Sequence, residues 1–346
     1  MTVCYNNHMR AALYHTWPYL LSGITFLGIY LGGIFNAIGI GVIFIVHPIL
    51  DHVLTKVIGD EKKAIEHASN FSLYLWPFYQ SIMLFYSASI LCNEKNLLYF
   101  TLGTISVGII TGGFGITIAH ELVHRPTKWQ RGLGVWVLAL VNYAVFRIEH
   151  VHGHHRNVAT PEDPASAQKG ENIYAFIPKA MLGVFIGAKK IEDNRIARLN
   201  AHWAVKIFHH RFYQYIFYSI SLCLIFYTFF NGHGLLFFLI QSFVGVSLLE
   251  MVDFIEHYGL QREKLENGKY APVGPEHSWD TNFFMTNTSL YNLGKHAHHH
   301  QVASMSFQHL TNTPGAHNYP FGYSVAVLLA LVPPLWRKVV DPLIDS

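Results

Sequence analysis

Histidine is the residue type whose spacing in this sequence can do chemistry. Four histidines crowd into Lys295-His-Ala-His-His-His300, and six more fall in His120-Glu-Leu-Val-His124 and Glu149-His-Val-His-Gly-His-His155. Neutral imidazole is the commonest side-chain metal ligand. The offsets are those by which a helix shows two rings on one face: His120 and His124 are four apart, and His150 and His154 repeat that offset, with His155 as a neighbouring direction. His296, His299 and His300 stand at i, i+3 and i+4, and His257 adds one more ring in Asp253-Phe-Ile-Glu-His-Tyr-Gly259. A single pair of this kind is commonly chance. His120 to His124 also fits the zinc-protease pattern H-E-x-x-H, but a protease site needs one further ligand and leaves the other clusters idle. A histidine-rich loop of a metal transporter predicts irregular spacing with no counterpart elsewhere in the chain.

Segments up to 180 residues apart must then meet, and composition says what kind of scaffold brings them together. Of 346 residues, 51% are hydrophobic and 13% charged, against about 25% charged in an ordinary soluble domain. Four windows lack Asp, Glu, Lys and Arg: Ala11 to Leu50, Phe71 to Asn93, Leu97 to Ala119 and Tyr213 to Leu249. Each can house a spanning helix of roughly 20 residues. Glycine and polar punctuation at Gly32-Gly33 to Asn36 and at Asn231-Gly-His-Gly234 divides the two longest windows.

The expectation is an all-α integral membrane protein of six spans, about 17–34, 37–50, 71–92, 97–119, 213–230 and 235–252. A further apolar run, Leu133 to Phe146, is too short to span and is expected as an interfacial or buried helix. With the N-terminus inside, 23 of the 24 Lys and Arg residues fall on the cytoplasmic side and only Lys95 on the other, a strong orientation signal. Both histidine windows then lie on that cytoplasmic face, in segments 120–212 and 253–346, as a helical cap. The net charge of +3 is thus a topology signal and gives no basic patch for nucleic acid. The N-terminal apolar run is too long for a cleaved signal peptide and is expected to stay attached. Cys4, Cys92 and Cys223 occur singly, which excludes a disulfide framework or an iron–sulfur site built from this chain.

With HELVHR at 120–125, EHVHGHHRNVATPEDP at 149–164, EHYGLQRE at 256–263 and KHAHHH at 295–300, the chain resembles the membrane-bound alkane monooxygenases. These belong to the integral-membrane, non-haem di-iron hydroxylases and desaturases. The resemblance runs over most of the chain, and its HYG element and E-H-x-x-G-H-H form point to the alkane hydroxylase branch. It implies two iron ions held by His120, His124, His150, His154, His155, His257, His296, His299 and His300. His152 and His298 fall on positions the family pattern does not use. His298 replaces the usual acidic residue of the last box, and Gly294 departs from the usual lead-in.

The resemblance also implies the reaction, hydroxylation of the terminal methyl of a medium-chain alkane by dioxygen. Breaking such a C–H bond needs an oxidant that no amino-acid side chain supplies. Electrons would come from a rubredoxin, reduced in turn by an NAD(P)H-dependent reductase, since the chain has no nucleotide fingerprint of its own. Arg125, Lys128 and Arg131 form a candidate docking patch for that donor, although positive-inside anchoring explains them equally well. Glu121, Glu149, Asp253 and Glu256 are candidates to orient the rings through their N–H groups. A bacterial inner membrane is the expected location, and it delivers the hydrophobic substrate laterally. The small residues of Thr111-Gly-Gly-Phe-Gly115 can leave room for an alkyl chain, although close helix packing is the more ordinary use of such a stretch. The rivals are sibling di-iron enzymes acting on alkyl-aromatic methyl groups or fatty-acyl chains. A divalent-metal transporter, the rival from another class, needs ionisable residues inside its spans.

Overall fold

The computed structural model describes residues 16–58 and 69–344. The expectation of a retained N-terminal segment, with Cys4 and Arg10, and the basic pair Lys62-Lys63 lie outside the described residues. The architecture is mostly helical, with one two-residue parallel strand pair in which Trp279 lies opposite His317 and Asp280 opposite Asn318. Three helices among the described residues are long and apolar enough to cross a membrane: Gly33–Val57 (α2), Leu97–Val123 (α4) and Arg211–His257 (α9). The shorter Trp17–Leu31 (α1) and Phe71–Leu91 (α3) lie beside them.

The chain turns where its sequence is punctuated. Gly32 and Gly33 both adopt positive φ, 70° and 58°, between α1 and α2. Asn231, at φ 55° and ψ −154°, folds α9 into two arms. Those arms close on each other through Phe226 and Phe238, whose rings stack at 4.5 Å and 7°. They can do so because Gly234 has no side chain: a Cβ there would sit 2.5 Å from the Phe226 carbonyl oxygen. The Asn96 side chain caps α4, accepting from the backbone N–H groups of Leu98 and Tyr99.

The 133–146 segment is buried from Val137 onward, apart from half-buried Asn142, while Trp136 is exposed. Lys128–Ala139 (α5) runs to a turn in which Asn142 takes a positive φ of 54°, and Phe146–Glu149, His150–His154 and His155–Asn157 (together α6) lead back to the histidine clusters. Backbone polar groups in this turn are met by side chains of α9. Gln241 Nε2 donates to the Leu140 carbonyl at 2.9 Å, and, side chain to side chain, Asn142 Nδ2 donates to Ser242 Oγ at 3.1 Å. Non-helical backbone beside apolar helices survives only where protein satisfies it, and here Gln241 does so for the Leu140 carbonyl.

Ile173–Ala197 (α7), Trp203–Phe208 (α8), Phe284–Ser289 (α10), His296–Gln301 (α11), Tyr323–Ala330 (α12) and Pro333–Ile344 (α13) complete the chain. The C-terminal part is pinned to α2: Asp51 accepts from the backbone and hydroxyl of Thr286, at 3.1 and 2.6 Å, and His47 bonds Ser289 Oγ at 2.9 Å and Ser324 Oγ at 3.0 Å.

Candidate metal centre

Four helix segments deliver the histidines to one place. The end of α4 brings His120 and His124, α6 brings His150, His154 and His155, the last residue of α9 is His257, and α11 brings His296, His299 and His300. The nitrogens form two groups. His120, His124, His150, His155 and His299 make one, and His154, His257, His296 and His300 make the other, each with its ligand atoms within 4.8 Å of one another. All nine rings that the family pattern marks are therefore drawn together. His152 is exposed, and His298 accepts a hydrogen bond from the Thr311 backbone at 3.0 Å, so neither joins a group.

The partition differs from the simplest helical reading. His150 and His154, four apart, share a face on an α-helix, yet they belong to different groups, and His150 sits with His155. The cause is the π-helical turn His150–His154, whose wider i to i+5 turn brings residues five apart into register. His155 Nε2 consequently lies 3.1 Å from His150 Nε2. Sequence neighbours are split in both boxes: His154 and His155 face different groups, as do His299 and His300.

The contacts inside the groups test whether a metal fits. The Nε2 atoms of His124, His150 and His155 form a triangle with edges of 3.0, 3.1 and 3.2 Å. A neutral imidazole nitrogen either carries a proton or accepts one, so a triangle of three always sets two like roles against each other. Hydrogen bonding alone leaves it frustrated. A cation at the centre satisfies all three lone pairs, and cis ligands about 2.1 Å from a metal stand about 3.0 Å apart. His299 Nε2 joins at 3.1 Å from His155, and the buried Nε2 of His120 has no hydrogen-bond partner. In the second group the pairs His257–His296, His296–His300 and His154–His300 are 3.1, 3.0 and 3.3 Å apart. Burial first, then the neighbouring rings, pushes His150, His155, His296, His299 and His300 well below the ordinary histidine range and His124 to about 3. These rings are neutral, the ligand form. The donor set, nine imidazoles in two groups, fits a pair of imidazole-preferring metal ions such as iron.

The far side of several rings is held. His154 Nδ1 is 2.9 Å from Asp163 Oδ2 and His257 Nδ1 is 3.3 Å from the His277 carbonyl oxygen, while Glu256 Oε1 comes within 3.3 Å of His296 Nδ1 without hydrogen-bonding it. A proton kept on Nδ1 leaves the Nε2 lone pair facing inward. Burial works to raise the Asp163 carboxyl, but His154 and Ser166 outweigh it and hold it below its usual range. Asp163 was not singled out by sequence reasoning: the Asn157 to Ala167 loop reads as a proline-rich turn, and nothing local marks its acid.

Of the four carboxylates expected to orient rings, Glu256 alone touches one, and it also accepts from Tyr323 at 2.9 Å. Glu121 pairs with Arg125 at 2.6 Å and accepts from the Phe307 backbone at 3.2 Å, tying the loop after α11 to α4. Glu149 packs against Gly153 and Gly187, where a Cβ would lie 2.1 and 3.0 Å from its side chain. Asp253 borders a cavity. That cavity opens between α2, α4, α9 and α12 and is lined by Ile43, Phe44, Phe114, Leu248 and Val327, together with His120 and His296, one ring of each group.

The glycines of α4 divide between packing and space. A Cβ on Gly112 would meet the Gly245 backbone at 2.6 Å, and one on Gly115 would meet Gln80 at 2.3 Å, whereas Gly113 has only Leu248 at 3.7 Å and faces the cavity.

Two histidine groups at the ends of apolar helices define a histidine-box membrane enzyme, and the fatty acid desaturase family profile matches residues 96–313. Alkane 1-monooxygenase 2 of Pseudomonas aeruginosa is 38% identical over 318 residues, covering 88% of this chain and 82% of the relative. Alkane 1-monooxygenase of Acinetobacter baylyi is 34% identical over 319 residues, 87% of this chain and 74% of the relative. The xylene/toluene monooxygenase hydroxylase component of Pseudomonas putida is more distant, 25% identical over 238 residues, or 68% of this chain and 62% of that protein. The chain belongs to the alkane 1-monooxygenase family.

Proposed function

We propose that this protein hydroxylates the terminal methyl group of medium-chain alkanes, taking electrons from a rubredoxin and consuming one dioxygen, two electrons and two protons per alcohol and water formed. The observation that carries the reading is the mainly apolar cavity that His120 and His296 both line, because a water-insoluble chain within it lies beside both histidine groups at once. His120, His124, His150, His155 and His299 would hold one iron, and His154, His257, His296 and His300 the other. Bound iron supplies the activation of dioxygen that an unactivated C–H bond requires.

The protein's own residues do the rest. Cavity walls such as Ile43, Phe44, Phe114 and Leu248 exclude water and leave the alkyl chain one direction to lie in. Asp163 and the His277 carbonyl keep the ring protons of His154 and His257 outward. The six spans, 17–34, 37–50, 71–92, 97–119, 213–230 and 235–252, set the site at the cytoplasmic face of the inner membrane. The breaks at Gly32-Gly33 and Asn231, the lysine and arginine asymmetry, and outward apolar side chains such as Leu27, Ile45, Phe217 and Phe243 support that topology.

The test supplies a rubredoxin and its reductase to the membrane-embedded protein and offers alkanes, toluene and acyl chains, with products identified by mass spectrometry. Primary alkanols with a preference for medium chains are expected. Products from toluene or acyl chains alone would assign the site to a sibling reaction.

A further inference from the structure

A second amphipathic cleft lies away from the histidines. It is an open groove between α5 and the first arm of α9. At one end stand Lys128, Arg131, Arg147 and Arg211, and towards the other the walls are Trp136, Leu222 and Ile225. We propose that this groove binds one anionic phospholipid, its phosphate headgroup among the basic residues and its acyl chains along the apolar wall. The proposal rests on the membrane reading given above and adds a ligand to it.

Three observations carry it. Among the described residues no carboxylate lies within ion-pair distance of Lys128, Arg131 or Arg147. Arg211 is 3.8 Å from Glu192, an acid already gripped by Arg195 at 2.6 Å. Arg147 spends one nitrogen on the Tyr215 hydroxyl, at 2.9 Å, and its buried Nε has no partner. Guanidinium groups are shaped for phosphate oxygens, and a partly buried cluster of like charge is costly until an anion arrives.

The geometry selects an amphiphile over a free anion. Lys128 and Arg211 are the first residues of α5 and α9, so both helices run away from the charged end with their positive dipole ends beside it. Trp136 and Leu222 follow eight and eleven residues later, a depth of about 12–17 Å at 1.5 Å per residue. That is about half of a 30 Å hydrocarbon core. The wall is also open to lipid, with Trp136 39% and Ile225 37% exposed. Inorganic phosphate would use the charged end alone, and a neutral detergent only the wall.

Native mass spectrometry of the delipidated full chain, re-exposed to mixed phosphatidylglycerol and phosphatidylethanolamine vesicles, tests the site. Wild-type protein is expected to keep one phosphatidylglycerol through activation that strips the zwitterionic lipid, and excess inorganic phosphate should not displace it. Arg147→Gln with Arg211→Gln should lower that retention at least fivefold. Ile225→Glu, which keeps every basic group, should lower it as well, while Lys206→Gln on α8 should leave it unchanged. Equal retention in wild type and both groove variants overturns the proposal, as does full displacement by phosphate. Alkane oxidation by the same samples reports on the catalytic reading separately, since none of the substituted residues touches the histidine groups or belongs to the Arg125, Lys128 and Arg131 patch.

Discussion

Replacing Asp163 by Asn is the sharpest test of how the second histidine group is held. Asp163 Oδ2 accepts from His154 Nδ1 at 2.9 Å and from Ser166 Oγ at 2.5 Å, while its other oxygen accepts from the Ala165 backbone at 3.2 Å. Every neighbour is a donor, and the residue is buried. Asn presents one acceptor and one NH2 group. Whichever way it turns, an N–H faces a donor, or His154 must move its proton to Nε2, where it would point into the cluster. A hydrogen bond to a charged group contributes about 1.5–3 kcal/mol, and loss of a partner behind a metal-bound histidine lowers metal affinity about 10–100-fold. The two ranges agree. The assay is iron content after graded chelator dialysis of purified Asp163→Asn protein in detergent. Because His154 belongs to the four-histidine group, retention should fall from near two irons towards one at a chelator concentration about 10–100-fold lower than in wild type. An unchanged midpoint with both irons held would refute the role given to Asp163.

His257→Ala, which removes a ring from the same group, should lose iron and alkane oxidation, whereas His202→Ala, outside both groups, should keep both; metal analysis and product assay decide. Gly113→Leu fills the cavity beside Leu248 and should shift the preferred alkane to shorter chains, read as the product ratio in a mixed-alkane competition; an unmoved ratio would separate that cavity from the substrate path. Gly112→Ala forces a methyl into the Gly245 backbone, 2.6 Å away, and should destabilise the α4–α9 contact by about 1–3 kcal/mol, as overpacking does. A thermal melt in detergent would show a lowered midpoint, and an unaltered melt would deny that the two backbones meet there.

Much of this architecture is legible in the sequence because membrane helices and histidine ligands both write regular patterns. The breaks at Gly32-Gly33 and Asn231 are where punctuation predicts them, and the nine rings of the family pattern are those that converge. The partition of those rings is not legible, since His-Val-His-Gly-His carries no mark that its turn is π rather than α. Asp163 is invisible for a different reason: it reaches His154 only because a loop between Pro161 and Pro164 curls back under α6, a tertiary event. Burial of the segment from Val137 to Phe146 is helped by Gln241 of α9 meeting the Leu140 carbonyl and by Ser242 meeting the Asn142 side chain, and sequence periodicity reports nothing about partners a hundred residues away. Glu149 and Asp253 looked like ring holders through adjacency alone, but one fills the space beside two glycines and the other borders the cavity.

The splitting of His154 from His155, and of His299 from His300, makes a single peptide unit the tie between the two halves of the centre, twice over. Inserting or deleting one residue at either tie would throw both halves out of register together. Neither half can be lost, traded for another ligand type or widened without dragging its twin, so such a centre changes in evolution as one object, and variation is left to the apolar walls above it.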